Sequence, residues 1–239
     1  MVKKTQMGWI GGMSLMALAV GSAFNAASAN AGNVTEGKVA VTAPDAIDIL
    51  VTAERLAAYG LKENDAVALI QAAKMKKSVP TQAMAGKPKT EKPADAKSGK
   101  TPEKKEAGVD TSADALLARA TVLAGDNASL KLLIADARAT GIRGAVRGPG
   151  RSVTTVDARS TDSYQVTFRG GEMAGVIVKG DGDTDLDLYV YDENGNRICA
   201  DADTTDTMVC RWNPSWTGSF TIRVANLGNV YNQYTIIHN

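Results

Sequence analysis

The stretch Asp185-Leu186-Asp187-Leu188-Tyr189-Val190-Tyr191-Asp192 decides the fold of the last third of the chain. Apolar side chains fall at every second position, Leu186, Leu188 and Val190, with acidic or aromatic residues between them. Successive side chains of an extended strand point to opposite faces, so this pattern buries one face and leaves the other to solvent. Asn194-Gly195 follows as a tight-turn pair. The alternation recurs at Tyr164, Val166 and Phe168, at Ala174, Val176 and Val178, at Phe220, Ile222 and Val224, and at Tyr234 and Ile236. Turn residues at Gly170-Gly171, 180–183 and 226–228 separate the runs. With weaker runs at 196–199 and 207–212, about seven strands fit residues 152–239, the density of an antiparallel β-sandwich.

Several of these pieces, in their order and spacing, resemble the bacterial pre-peptidase C-terminal domain family. The residues that carry the likeness are Asp185 to Asp192, Asn194-Gly195, Trp216-Thr217-Gly218-Ser219-Phe220-Thr221-Ile222, Asn226 and Tyr234, within roughly residues 155–239. The resemblance implies a jelly-roll-like sandwich of a kind appended to secreted peptidases, some of which bind calcium or extracellular polymers. No peptidase signature accompanies it, which implies a stand-alone binding or stability module.

Upstream the period changes. Ala46, Ile49, Leu50, Ala53, Leu56 and Ala57 follow helical spacing, and Ala113, Leu116, Leu117, Ala120, Leu123 and Ala124 repeat it 67 positions later. A second helix follows each run, through Ala66, Leu69, Ile70 and Ala73 and through Leu130, Leu133, Ile134 and Ala137. Asp45 and Ser112 are placed to cap the first helices, and Gly60 and Gly125 to break each pair. Residues 44–78 and 110–141 therefore read as two helical hairpins that pack into one small unit. A peptide-binding groove is the alternative, although two hairpins are few for a repeat array.

Residues 79–109 are rich in Lys, Pro and Ala, with Pro80, Pro88, Pro93 and Pro102. The reading is an extended, disordered linker. Its lysines, with Lys74, Lys76 and Lys77 before it, offer a second reading as a polycation for anionic envelope polymer or lipid headgroups. The whole is thus an α+β, multidomain chain.

Residues 1–29 have the three parts of a secretory signal peptide: Lys3-Lys4, an apolar run from Met7 to Phe24, and Ala27-Ser28-Ala29 as the cleavage pattern. No later stretch approaches the roughly 20 apolar residues of a membrane span. A periplasmic or secreted location makes Cys199 and Cys210, 11 positions apart, a structural disulfide. Closing such a loop restrains the unfolded chain by about 3 kcal/mol in the entropy model.

Composition narrows the chemistry. Among 239 residues there are 27 Lys and Arg against 26 Asp and Glu, one histidine (His238) and two cysteines. A Ser-His-Asp triad, a multi-histidine metal centre and a four-thiolate zinc site are all hard to build. The near-neutral charge and the absence of aromatics from the lysine-rich stretch argue against specific nucleic-acid binding.

Two residue sets remain as candidate sites. Asp181, Asp183, Asp185 and Asp187 alternate, so along a strand their carboxylates would share one face and could hold Ca2+. A solvated acidic face that blocks edge pairing is the alternative. Tyr189, Tyr191, Trp212 and Trp216 are candidates for stacking on sugar rings or anchoring a protein contact. The expectation is an exported, non-enzymatic binding or scaffolding protein of the cell envelope, with a polymer or protein as partner and calcium as the one cofactor considered. The alternative is a regulatory or inhibitory companion of a separately encoded secreted hydrolase. Oligomeric state is open.

Overall fold

The structure, a computed structural model, describes residues 32–35, 45–92, 109–140 and 148–239. The signal-peptide reading of residues 1–29 and the lysines at 97–105 lie outside the described residues.

The described residues form four helices, each started by a side-chain cap. In α1 (Ala46–Glu63) the Asp45 carboxylate accepts from Asp48 N–H while Asp48 accepts from Asp45 N–H, a reciprocal capping box. Asp65, Ser112 and Asn127 cap α2 (Ala66–Ser78), α3 (Ala113–Ala124) and α4 (Ala128–Ala139) with a side-chain oxygen that accepts from first-turn N–H groups, without the reciprocal bond. Gly125, at φ 47°, ends α3 as expected, but Gly60 does not end α1. The helix runs through Gly60 to a left-handed Asn64, because the glycine serves close packing: a Cβ there would lie 2.8 Å from Leu69 Cδ2 of α2. Ala57, Leu69, Ile70, Leu116, Leu117, Ala120, Ile134 and Ala137 then bring all four helices into one buried cluster.

The strands form two five-stranded sheets. Sheet A has the order β1 (Gln82–Ala83), β3 (Gly150–Val156), β10 (Asn232–His238), β5 (Ala174–Lys179), β8 (Thr207–Trp212). Sheet B has the order β2 (Lys89–Glu91), β4 (Thr161–Phe168), β9 (Gly218–Asn226), β6 (Leu186–Tyr191), β7 (Arg197–Asp201). All pairings are antiparallel except β1 with β3. The apolar alternates read from the sequence, from Tyr164 to Ile236, meet between the sheets in one core that also takes in Met208, Trp212 and Cys210. His238 is no surface imidazole: its ring lies 6.0 Å from that of Phe168, and burial lowers its pKa.

The lysine-rich stretch differs from its expectation. Residues 80–92 are ordered, and β1 extends sheet A while β2 extends sheet B at the matching edge. Their side chains are exposed, so burial does not drive the pairing; backbone hydrogen bonds and one part-buried polar contact do. Thr90 Oγ1 donates to Asp162 Oδ1 at 2.5 Å, and Tyr234 Oη donates to Asp162 Oδ2 at 2.7 Å. Asp162 is wholly buried, and an inward carboxylate needs such donors. Several lysines there are paired with acids, Lys74 with Asp136 at 2.7 Å and Lys92 with Asp157 at 2.7 Å, which removes them from a free polycation.

At the opposite edge Cys199 of β7 and Cys210 of β8 form a disulfide that fastens one sheet to the other. Both open sides of the sandwich are thus closed, one covalently and one by residues 82–91. Hairpin α3–α4 lies in sequence between β2 and β3, so the helical unit is interlaced with the sandwich. Helix α1 presses Ile47, Leu50 and Val51 onto Ile177 and Ile237 of sheet A. Gly175 makes room for it, since a Cβ there would sit 3.0 Å from Ile47.

Candidate functional site

Helix α1 covers much of the outer face of sheet A, whereas the outer face of sheet B carries no helix among the described residues. The outward positions of its three central strands form ordered rows. Gln165 of β4, Thr221 of β9 and Tyr191 of β6 are direct cross-strand partners, and Ser163, Arg223 and Tyr189 make the next row. Gln165 Nε2 donates to Thr221 Oγ1 at 2.8 Å, and Ser219 Oγ donates to Gln165 Oε1 at 3.0 Å. The polar groups therefore hold one another in place. Tyr191, Arg223, Gln165, Ser219 and Thr221, with the turn at Asp192 to Gly195, surround a shallow hollow of about 530 Å³.

That turn is rigid. Asp192 is buried, and its carboxylate accepts from the N–H groups of Asn33, Asn194 and Asn196 and from Asn196 Nδ2. Burial pushes the Asp192 carboxyl up, but these donors outweigh it and hold the group below the usual aspartate range. Asn33, wholly buried, accepts from Ser215 N–H and Trp216 N–H and donates to Trp216 O at 3.1 Å. The short segment at 32–35 is therefore a structural part of this end of the sandwich. Sequence reading missed Asn33 because it stands just beyond the leader pattern and belongs to no periodic run.

The four aromatic candidates separate. Tyr189 and Tyr191 lie on the outer face of sheet B, half-buried among polar neighbours. Tyr189 Oη donates to Asp187 Oδ2 at 2.7 Å, and that bond, with some burial, raises the Tyr189 pKa. Trp216 is 43% exposed at the rim and donates through Nε1 to Glu193 Oε1 at 2.5 Å. Trp212 is a correction: its ring sits inside the core, 4.8 Å from Phe168 and 5.2 Å from Phe220, because Trp212 occupies an inward position of β8. Sequence reading also passed over Gln165, Thr221 and Arg223, whose signal was present as the positions between the buried alternates.

The aspartates do not form the shared strand face expected of them. Asp181, Asp183 and Asp185 lie in the irregular stretch before β6, and only Asp187 is on the strand. Asp181 accepts from Gln233 N–H at 2.7 Å and from Asp183 N–H at 3.3 Å, while Asp187 is buried against Tyr189. Among the described residues no three His, Cys, Asp or Glu side chains converge as ligands for a metal ion. Asp206, across from Asp181, is a different case: burial pushes its carboxyl up to about 6 despite a hydrogen bond from Gly182 N–H at 3.0 Å.

No protein-family model matches the sequence, and a search of curated proteins finds no match. Among solved structures, this chain is similar to the pre-peptidase C-terminal domain of a Bacillus anthracis collagenase, at 12% identity and TM-score 0.33, over 37% of this chain and 89% of that one. It is similar to the same degree to Aeromonas hydrophila PliG, a periplasmic inhibitor of g-type lysozyme, at 13% identity and TM-score 0.32, over 41% and 91%. Neither likeness names a family.

Proposed function

We propose that this chain is an exported, non-enzymatic binding or scaffolding protein of the cell envelope, with the outer face of sheet B as its recognition surface. One observation carries the reading: the two outer faces of the sandwich are unequal, one covered by its own helix and the other without a helix among the described residues and set with two tyrosines, an arginine and hydrogen-bonding side chains in register. Rings flanked by fixed donors and acceptors suit a polyhydroxylated or amide-rich partner, since each ring offers apolar area while the polar groups set orientation. Because the side chains are held by one another, little ordering is lost on binding. Export rests on the leader pattern at 1–29 and on the disulfide, which persists in an oxidising compartment.

Cosedimentation of residues 30–239 with purified cell-wall polymer, beside capture of partners from an envelope extract, tests the reading. Tyr191→Ala combined with Arg223→Ala is expected to weaken the interaction at least ~10-fold, while Lys131→Ala, on an exposed helix, leaves it unchanged. Equal retention of both variants overturns the assignment of this face.

A further inference from the structure

At one end of the sandwich the turn at Asp192 to Gly195 and the β8–β9 turn at 213–217 are tied together through the short segment at 32–35. Asn33 N–H donates to Asp192 Oδ2 at 2.8 Å on one side. On the other, Asn33 Oδ1 accepts from Ser215 N–H at 2.9 Å and Trp216 N–H at 3.2 Å, and Nδ2 donates to Trp216 O at 3.1 Å. Thr35 N–H donates to Asn213 O at 2.8 Å, and Val34 packs against the sandwich core. Trp216 in turn donates through Nε1 to Glu193, so Asn33, Asp192-Glu193 and Trp216 close a ring of contacts. The chain leaves just enough room for this: a Cβ on Gly218 would lie 3.0 Å from Asn33 Nδ2.

The ring bears on the hollow of sheet B. Asp192, Glu193 and Gly195 form its rim beside Tyr191 and Arg223. The buried Asp192 carboxylate gathers the N–H groups of Asn194 and Asn196 as well as that of Asn33. Taking Asn33 away leaves that carboxylate short of a donor, and the N–H groups of Ser215 and Trp216 short of an acceptor. Buried polar groups left in that state are costly, so both turns relax until water reaches them. Asn33 thus shapes the rim without lining it.

Its place in the sequence adds a constraint. The cleavage pattern Ala27-Ser28-Ala29 ends four residue steps before Asn33. Four extended residues span at most ~14 Å, and Asn33 itself lies wholly beneath the surface. A peptidase has to enclose the bond after Ala29, and with Asn33 seated the sandwich stands within that distance and obstructs it. Chain held in a folded structure is cut through its opened state. Seating of Asn33 and cutting after Ala29 are therefore competing events.

We infer that Asn33 is the positioning residue of the sheet B rim and that it takes its place after the leader is cut, its seating shielding the bond after Ala29. The recognition face is thereby completed by maturation, and a precursor that folds first keeps its leader. This rests on the export and the sheet B face proposed above.

Cleavage of the full chain, residues 1–239, by purified leader peptidase in mild detergent tests it, with mass spectrometry to locate the cut. Precursor diluted from urea straight into the enzyme is compared with precursor refolded beforehand. Refolding is expected to slow the cut after Ala29 at least ~10-fold, and Asn33→Ala to restore most of the rate in refolded precursor. In residues 30–239, Asn33→Ala is expected to speed amide hydrogen exchange at Asn194 and Asn196 at least ~10-fold, while Ile222 in β9 keeps its protection. Protection lost equally at Ile222 and in the turn would make Asn33 a general stabiliser and overturn the positioning role. Equal cutting before and after refolding, a comparison that needs no variant, overturns the ordering, as does a refolded Asn33→Ala precursor that resists like wild type. No cut after Ala29 even from urea refutes the leader reading and this inference with it; the sheet B face is read separately, by the cosedimentation above.

Discussion

The two outer faces of this sandwich are built from the same strand geometry and end in opposite conditions. On sheet A the outward residues of β5 and its neighbours are Gly175, Ile177, Val209 and Ile237, and α1 lies on them. On sheet B the outward residues are Gln165, Thr221, Arg223, Tyr189 and Tyr191, and no described helix lies there. The difference is written in the run Ala174-Gly175-Val176-Ile177-Val178, every residue of which is buried. A strand covered on both faces reads as continuous apolar sequence, whereas β4, β6 and β9 carry polar or aromatic residues between their buried positions. Which sheet receives the helices is therefore decided by the residues between the core alternates.

The strongest test removes the fastening of the covered face. Ile47→Ala deletes a fully buried side chain seated against Gly175 and Ile177, and is expected to cost about 3 kcal/mol in urea unfolding. Tyr191→Ala on the bare face is expected to change stability by no more than about 0.5 kcal/mol, since surface truncations away from special contacts are mild. Comparable losses at both positions would erase the contrast between the faces.

A smaller effect is expected where the ordered stretch at 80–92 meets the core. Thr90→Val removes a donor from the buried Asp162 carboxylate and is expected to cost about 1–2 kcal/mol, measured by the same unfolding. An unchanged midpoint would mean that β2 is attached to sheet B without supporting it.

The smallest effect is pH-dependent. The Asp206 carboxyl titrates near 6 when folded against an ordinary 3.8. The folded state therefore holds this proton more firmly, and its contribution to stability is full below about 3.8 and is lost as pH rises through about 6. Asp206→Asn keeps an acceptor for Gly182 N–H without the charge. Its stability relative to wild type is expected to rise between pH 4 and pH 7 and then level, by about 1 kcal/mol once partial exposure is allowed for. A difference that stays flat across this window would exclude Asp206 as the titrating group.

Much of this architecture was legible because burial imposes a period. Leu186, Leu188 and Val190, the matching alternates of four other strands, the four helices and the Cys199–Cys210 bond all follow from spacing and chemistry visible in the chain. What escaped reading lacked a period. Strands β1 and β2 bury no side chain, and their Pro and Lys neighbours signal the opposite of order. Trp212 and Asp187 are buried through their places in the sheets, which local composition does not reveal. On the outer face of sheet B, Tyr189 and Tyr191 stood out through their rings, while Gln165, Thr221 and Arg223 needed the strand order β4-β9-β6 to become neighbours. The ion pair of Glu54 with Lys179 joins residues 125 positions apart, a separation no local pattern can report.

Strand β10, at residues 232–238, fills the middle of sheet A between β3 and β5. Without those residues β3 and β5 have no partner in common, and the floor beneath α1 is split in two. Sheet A therefore closes only through pairings of long sequence separation, with correspondingly slow closure. Strand β10 is thus the keystone on which both the sheet and the seat of α1 depend.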